Sequence, residues 1–117
     1  MIASTLIGLV GVLHAYFLVL EMFLWEKPAG RRAFGNTAEF AAASKTLAAN
    51  QGLYNGFLAA GLLWGLILGS VGNPVKIFFL LCVIVAGIFG AMTVNRRILF
   101  IQALPAALAL AALLLLP

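Results

Sequence analysis

Four long apolar runs, about Ile2–Trp25, Leu47–Gly69, Val75–Thr93 and Ile98–Leu116, leave this chain few folds to choose from. Each is near the roughly 20 residues a helix needs to cross a hydrocarbon core about 30 Å thick. In 117 residues they leave no room for a fifth run, a soluble domain or a low-complexity tail. Apolar residues make up 65% of the chain and charged ones 9%, with a mean hydropathy of +1.18, far from the balance of a soluble domain. The expected fold is all-α: a single transmembrane domain over residues 1–117, built as an integral membrane, antiparallel four-helix bundle with a short helix in its first cytoplasmic connection. The first run is expected to stay on the protein rather than act as a signal peptide, since it lacks a basic leader and contains His14 and Glu21.

The connections differ in chemistry. The first opens with Lys27-Pro28-Ala29-Gly30-Arg31-Arg32, which its proline and glycine should keep from forming a regular helix. Asn36-Thr37-Ala38-Glu39 then has capping-box spacing, with Asn36 as the cap. The alanine-rich stretch after it should be helical and run into the second span. Phe34 and Phe40 would anchor this region at an interface. The second connection, Ser70–Pro74, reads as a short turn through Gly72-Asn73-Pro74. The third is little more than Asn95-Arg96-Arg97, giving a tight hairpin of the last two helices. Pro105 should kink the fourth helix and free the carbonyl of Ile101.

The net charge of +4 does not point to nucleic acid, because the basic residues lie between apolar runs. They do set orientation. The first and third connections share one side of the membrane and hold Lys27, Arg31, Arg32, Lys45, Arg96 and Arg97, against Lys76 alone on the other side. The basic loops are therefore expected in the cytoplasm and both termini outside. Cys82 is the one cysteine, so no intrachain disulfide and no zinc site can form, and no metal or cofactor is expected.

Polar residues inside the runs gather at one level. Measured at 1.5 Å per residue from the cytoplasmic end of each run, Glu21 lies about 6 Å deep and Asn50–Asn55 about 5–12 Å. Gln102 lies about 7 Å deep, and only His14 approaches the midplane. His14 and Glu21 are seven residues apart on one face of the first helix, with Leu18 and Trp25 extending the stripe. On the second run, with Asn50 at zero, Tyr54 falls at about 40°, Gln51 at about 100° and Asn55 at about 140°. Gly52 and Gly56 follow at about 200° and about 240°. A charge at depth costs about 3 kcal/mol, so a glutamate there is protonated, paired or facing a wet cavity, and Arg96 and Arg97 are candidate partners.

A ligand site in the cytoplasmic half of the bundle would be lined by His14, Glu21, Trp25, Asn50, Gln51, Tyr54 and Asn55, with Arg96 and Gln102 at the rim. It would take a small-molecule or lipid-like ligand. Were it an active site, the chemistry would be proton transfer on an apolar substrate, an isomerisation or epimerisation. Glu21 and His14 would act as acid and base, and Tyr54 with the amides would orient the substrate. Each residue also has a plainer explanation: Glu21 snorkelling to the interface, His14 satisfied across helices, the amides as interhelical glue. Gly52-x-x-x-Gly56 and the Gly61, Gly65, Gly69 series put small residues on two faces of the second span. They suit close helix neighbours within the bundle or a homodimer contact.

The motifs Glu21-Met22-Phe23-Leu24-Trp25 and Asn50-Gln51-Gly52-Leu53-Tyr54-Asn55-Gly56-Phe57-Leu58-Ala59-Ala60-Gly61 resemble a family of small bacterial four-helix inner-membrane proteins. That family has a domain-of-unknown-function label, and some members are called epimerases. The resemblance covers essentially the whole chain. It implies a bacterial inner (cytoplasmic) membrane protein with four spans and membrane lipid as its surroundings, and it implies no catalytic residue. The chain holds no dinucleotide-binding glycine motif. In length, span number and an embedded glutamate it is also similar to the small multidrug resistance transporters, which keeps a proton-coupled exporter beside the ligand site as an expectation. A structural or partner-binding membrane subunit is the third.

Overall fold

The computed structural model describes all 117 residues, Met1–Pro117, and every regular element is helical. Helix α1 spans Ile2–Met22, α2 Pro28–Phe34, α3 Ala38–Ile67, α4 Asn73–Thr93 and α5 Leu104–Leu115. A 3₁₀ turn at Gly69–Gly72 leads into α4, and a π-helical stretch at Leu99–Ala103 leads into α5. Two stretches, Ile2–Met22 and Gly69–Thr93, are long and apolar enough to cross a membrane, and Leu99–Leu115 is a shorter apolar helix. The chain packs as two compact units, Leu13–Phe57 and Met1–Val12 with Leu58–Pro117.

In the unit formed by Met1–Val12 and Leu58–Pro117, four helical segments contribute to one buried cluster. Ile7 and Val10 come from α1, Leu62 from α3, Leu80 and Val83 from α4, and Ala106 and Ala109 from α5. Small residues set how closely these helices approach. A Cβ added at Gly87 would lie 2.6 Å from the backbone nitrogen of Ala103, and one at Gly90 would lie 3.0 Å from Cγ2 of Ile98. Because the earlier α4 residue meets the later partner, these two helical stretches run antiparallel. Gly61 is similarly covered by the ring of Phe79, and Gly65 by the stem of Lys76.

The turns of this unit follow from local chemistry. Gly69, at φ +66°, takes the left-handed conformation that stops α3. The buried Lys76 Nζ donates to the Gly69 carbonyl at 2.8 Å and to Asn73 Oδ1 at 3.2 Å, supplying partners where the helix end has none. Asn73-Pro74 belongs to the first turn of α4 rather than to the preceding turn, because proline is suited to a first helical position. At Asn95 the side-chain oxygen accepts the Arg97 backbone N–H at 2.8 Å, closing the last connection. The irregularity expected at Pro105 takes the form of a π stretch: Leu104 N–H bonds back to Leu99 O, so the ladder shifts before the proline is reached.

In the Leu13–Phe57 unit, α1 ends at Met22, three residues before the end of its apolar run. The amides of Phe23 and Leu24 both bond to the Val19 carbonyl. Trp25 is therefore off the helix and does not extend the His14–Glu21 stripe. The segment Pro28–Phe34 is a helix, against expectation. Pro28 occupies its first turn, where no N–H is needed. Gly30 is required because the chain folds back so tightly that a Cβ there would overlap the Leu24 carbonyl. Gly35, at φ +67°, ends α2. The cap of α3 is Thr37 rather than Asn36: its Oγ1 accepts the Phe40 N–H at 3.1 Å. From there α3 continues without interruption for 30 residues, as the alanine-rich stretch led one to expect.

The glycine contacts give a paired prediction. Gly87→Ala should lower the unfolding free energy by about 1–3 kcal/mol, since the methyl meets backbone rather than a side chain that can turn away. Gly8→Ala, where a Cβ meets nothing within 4 Å, should be neutral or stabilising by up to about 1 kcal/mol through helix propensity. Thermal unfolding of the two variants followed by circular dichroism checks the contrast. Equal effects would contradict the close contact at Gly87.

Candidate functional site

The polar interior of the Leu13–Phe57 unit starts from the geometry of two helices. On α1, residues seven apart return to nearly the same face, and His14 and Glu21 both point inward. His14 is fully buried, with its ring edge-on to Phe17 at 5.5 Å, and Glu21 is 8% exposed. On α3 the matching face carries Gly52, Asn55 and Gly56. A Cβ at Gly52 would stand 2.7 Å from Met22 Cγ and 3.1 Å from Glu21 Cβ, and one at Gly56 would stand 2.6 Å from Leu18 Cδ1. At Gly52, where a Cβ would also stand 3.2 Å from the Leu18 carbonyl oxygen, glycine is what lets the two helices come this close. The asparagine between them, 6% exposed, then reaches the carboxylate: Asn55 Nδ2 donates to Glu21 Oε1 at 2.5 Å.

This pair is the chemical centre of the unit. Glu21 is buried without an ion pair; the structure's salt bridge joins Lys45 to Glu26 at 3.4 Å on the exposed surface. An amide N–H satisfies the carboxyl whether or not it carries a proton, because Oε1 remains an acceptor in both states. A neutral donor does not compensate a full buried charge as a guanidinium would. The arrangement can therefore hold a carboxyl group in a fixed direction and allow it to gain or lose a proton without losing its tether.

The other residues expected in a site are distributed differently. Tyr54 is 55% exposed and packs edge-on against Phe57 at 5.6 Å. Asn50 and Gln51 are exposed on the same side of α3. Trp25 lies beyond α1, half-buried; its Nε1 donates to Ser44 Oγ at 3.0 Å, and its ring sits 4.9 Å from that of Phe34. It holds the first connection against α3 instead of facing Glu21. Arg96 is exposed in the Asn95–Arg97 turn and Gln102 is half-buried in the π stretch, both in the other unit. No group of three or more His, Cys, Asp or Glu side chains converges as a metal site.

Sequence reasoning did not single out Ser44, which anchors Trp25 and itself donates to the Phe40 carbonyl at 2.6 Å. It also read Lys76 as a loop charge, whereas that residue is 5% exposed. Asn55 could have been separated from its neighbours by angle alone. At about 140° it is the member of the quartet closest to the arc of Gly52 and Gly56, and the side a helix can approach is the side that becomes interior.

Comparison with known proteins places this geometry in context. No solved structure matches the chain. The protein is 31% identical over 104 residues to the "Uncharacterized protein YpaA" of Lactococcus lactis subsp. lactis (strain IL1403), an alignment covering 87% of each chain. The family model described as "Protein of unknown function (DUF1304)" matches residues 8–114, a range that includes His14, Glu21 and Asn55. The chain therefore belongs to the DUF1304 family of proteins of unknown function.

Proposed function

We propose that this protein is a multi-pass membrane protein with four antiparallel spans, and that the Glu21–Asn55 pair is the core of a site for a small apolar or lipid-like ligand on which it performs proton transfer. The membrane part is supported by an inverted distribution of polarity. Leu9, Val12, Tyr16 and Val19 of α1, with Phe23 just beyond its end, recur at three- and four-residue spacing and are all exposed. Phe78, Leu81, Val85, Ile88, Phe89 and Met92 do the same on α4. The buried polar residues are His14, Glu21, Asn55 and Lys76. In water this arrangement is costly, and in lipid it is the natural one. At 1.5 Å per residue, α3 is about 45 Å long against a core of about 30 Å. Its first turns, with Glu39 and Lys45, would then extend out of the membrane on the side of the first connection.

The orientation carries over from the basic loops: Lys27, Arg31, Arg32, Arg96 and Arg97 in the cytoplasm of a bacterial inner membrane. Burial of Lys76 against Gly69 supports it, since a lysine bound to its own chain contributes less as a loop charge. A C-terminal alkaline phosphatase fusion should be active, and one joined after Gly35 should be inactive. The reverse pattern would invert the topology.

The single observation that carries the site is a buried carboxyl held by one neutral donor at a glycine-lined helix crossing. The same glycine lining also favours a second reading, in which the pair is only a staple between α1 and α3. Asn55→Leu should cost about 1–3 kcal/mol in either case, because Glu21 loses its donor. Glu21→Leu combined with Asn55→Leu should recover most of that loss. A bound ligand separates the readings: native mass spectrometry should find a lipid-like mass retained by the wild type and absent from the double variant. Equal retention leaves only the staple.

The carboxyl can be addressed directly. Membranes treated with dicyclohexylcarbodiimide, which attacks carboxyl groups in apolar surroundings, should give a single adduct on Glu21 that is missing in Glu21→Gln. Modification of Glu26 or Glu39 with Glu21 untouched would overturn the proton-transfer reading.

A further inference from the structure

The α3 surface opposite the Glu21 contact is the part of the molecule least accounted for by that site. With Asn50 at zero, Leu47 falls at about 60°, Gln51 at about 100°, Tyr54 at about 40° and Phe57 at about −20°, so the five share an arc of about 120°. All five are exposed. The arc lies across the helix from Gly52 and Gly56, which are covered by Met22, Glu21 and Leu18. Gly61 and Gly65 are likewise covered, by Phe79 and Lys76. Both glycine faces thus find their neighbours within the chain, and the face left open carries two carboxamides and a phenol.

With α3 crossing the membrane as proposed above, the depth of these groups makes the open face costly. Counted from Ile67, Tyr54 stands about 20 Å and Asn50 about 26 Å along the helix, inside a hydrocarbon core of about 30 Å. Amides at that level need a hydrogen-bonding partner. The side chains carry no formal charge, so the face offers a partner no ion pair. Each carboxamide offers both a donor and an acceptor, and a surface of such groups is complementary to a copy of itself turned through a two-fold rotation. We infer that α3 of a second copy of this chain covers this face. Tyr54 and Leu47, at the middle of the arc, form the apolar centre of the contact with Phe57 beside them, and Asn50 and Gln51 on its flanks exchange hydrogen bonds across it. The inference rests on the membrane placement of α3 proposed above and not on the ligand site.

Site-directed cross-linking of the full-length protein in carbonate-washed membranes tests it. In a Cys82→Ala background, Asn50→Cys and Tyr54→Cys should form disulfide-linked dimers under copper-phenanthroline several-fold more efficiently than Val12→Cys and Phe89→Cys. The last two place thiols on exposed positions of α1 and α4. In a second measurement, energy transfer between labelled copies is followed as lipid is added. Asn50→Leu with Gln51→Leu should weaken self-association by about tenfold, and circular dichroism should show the helices retained. Cross-linking no greater than at the control positions, or an unchanged midpoint, overturns the dimer. So does ready labelling of thiols at 50 and 54 by a water-soluble maleimide in a monomer, which would mean headgroup water solvates the face. Disulfide capture of a different protein in place of the dimer also overturns it. Release of the protein by carbonate would remove the membrane placement along with the dimer, and is read before any oxidation.

Discussion

Close approach of backbones, made possible by the absence of side chains, is the constraint from which most of this structure follows. The buried positions of α5 are alanines, Ala106, Ala109 and Ala112, and α4 meets the π stretch through Gly87 beside Ala103. Such contacts gain little from side-chain volume. They gain from dispersion between backbones held near contact distance, and they leave the large apolar side chains facing outward. A water-soluble helical protein uses leucine and phenylalanine inside to be driven together. This chain keeps Leu20, Leu62 and Leu80 inside but leaves most of its large apolar side chains on the surface.

The same constraint explains how a glutamate comes to be held inside. Gly52 and Gly56 bring α3 so close to α1 that the short side chain of Asn55 reaches Glu21 directly. A larger residue at Gly52 would press on Glu21 Cβ and the Leu18 carbonyl and displace the helix that presents the carboxyl, whereas at Gly56 it would first meet a Leu18 methyl that can turn aside. The site and the packing are therefore one device, and the carboxyl is oriented by backbone geometry rather than by an ion pair. Two of the cations near the first connection are engaged elsewhere: Lys45 pairs with Glu26, and Arg31 Nε donates to the Asn36 carbonyl at 3.4 Å.

Where expectation and structure part company, the cause is where each helix starts and stops and which neighbour its faces meet. Pro28 and Gly30 read as helix breakers, but the first is harmless at a helix start and the second is demanded by the fold-back onto Leu24. Trp25 continues the angular stripe of His14 and Glu21 only if the helix continues, and it ends at Met22. Asn36 and Thr37 are both good caps, and local spacing favoured the wrong one by a single residue. Of the quartet on α3, composition alone ranked Asn50, Gln51, Tyr54 and Asn55 together, while the glycine arc separates the last from the first three.

Sequence by itself determined that the chain is helical throughout, with its polar groups concentrated in particular stretches. Helical periodicity and the hydropathy of long apolar runs are properties of neighbouring residues and need no knowledge of what lies across from them. The interior face of α1 was legible for the same reason, since seven residues return a helix to its starting direction. Only the tertiary structure decided that Glu21 is partnered by Asn55, that Lys76 turns inward to a helix end, and that Asn50, Gln51 and Tyr54 remain outside. Each of those outcomes depends on which of several small-residue faces another helix occupies, and a single helix cannot express that choice.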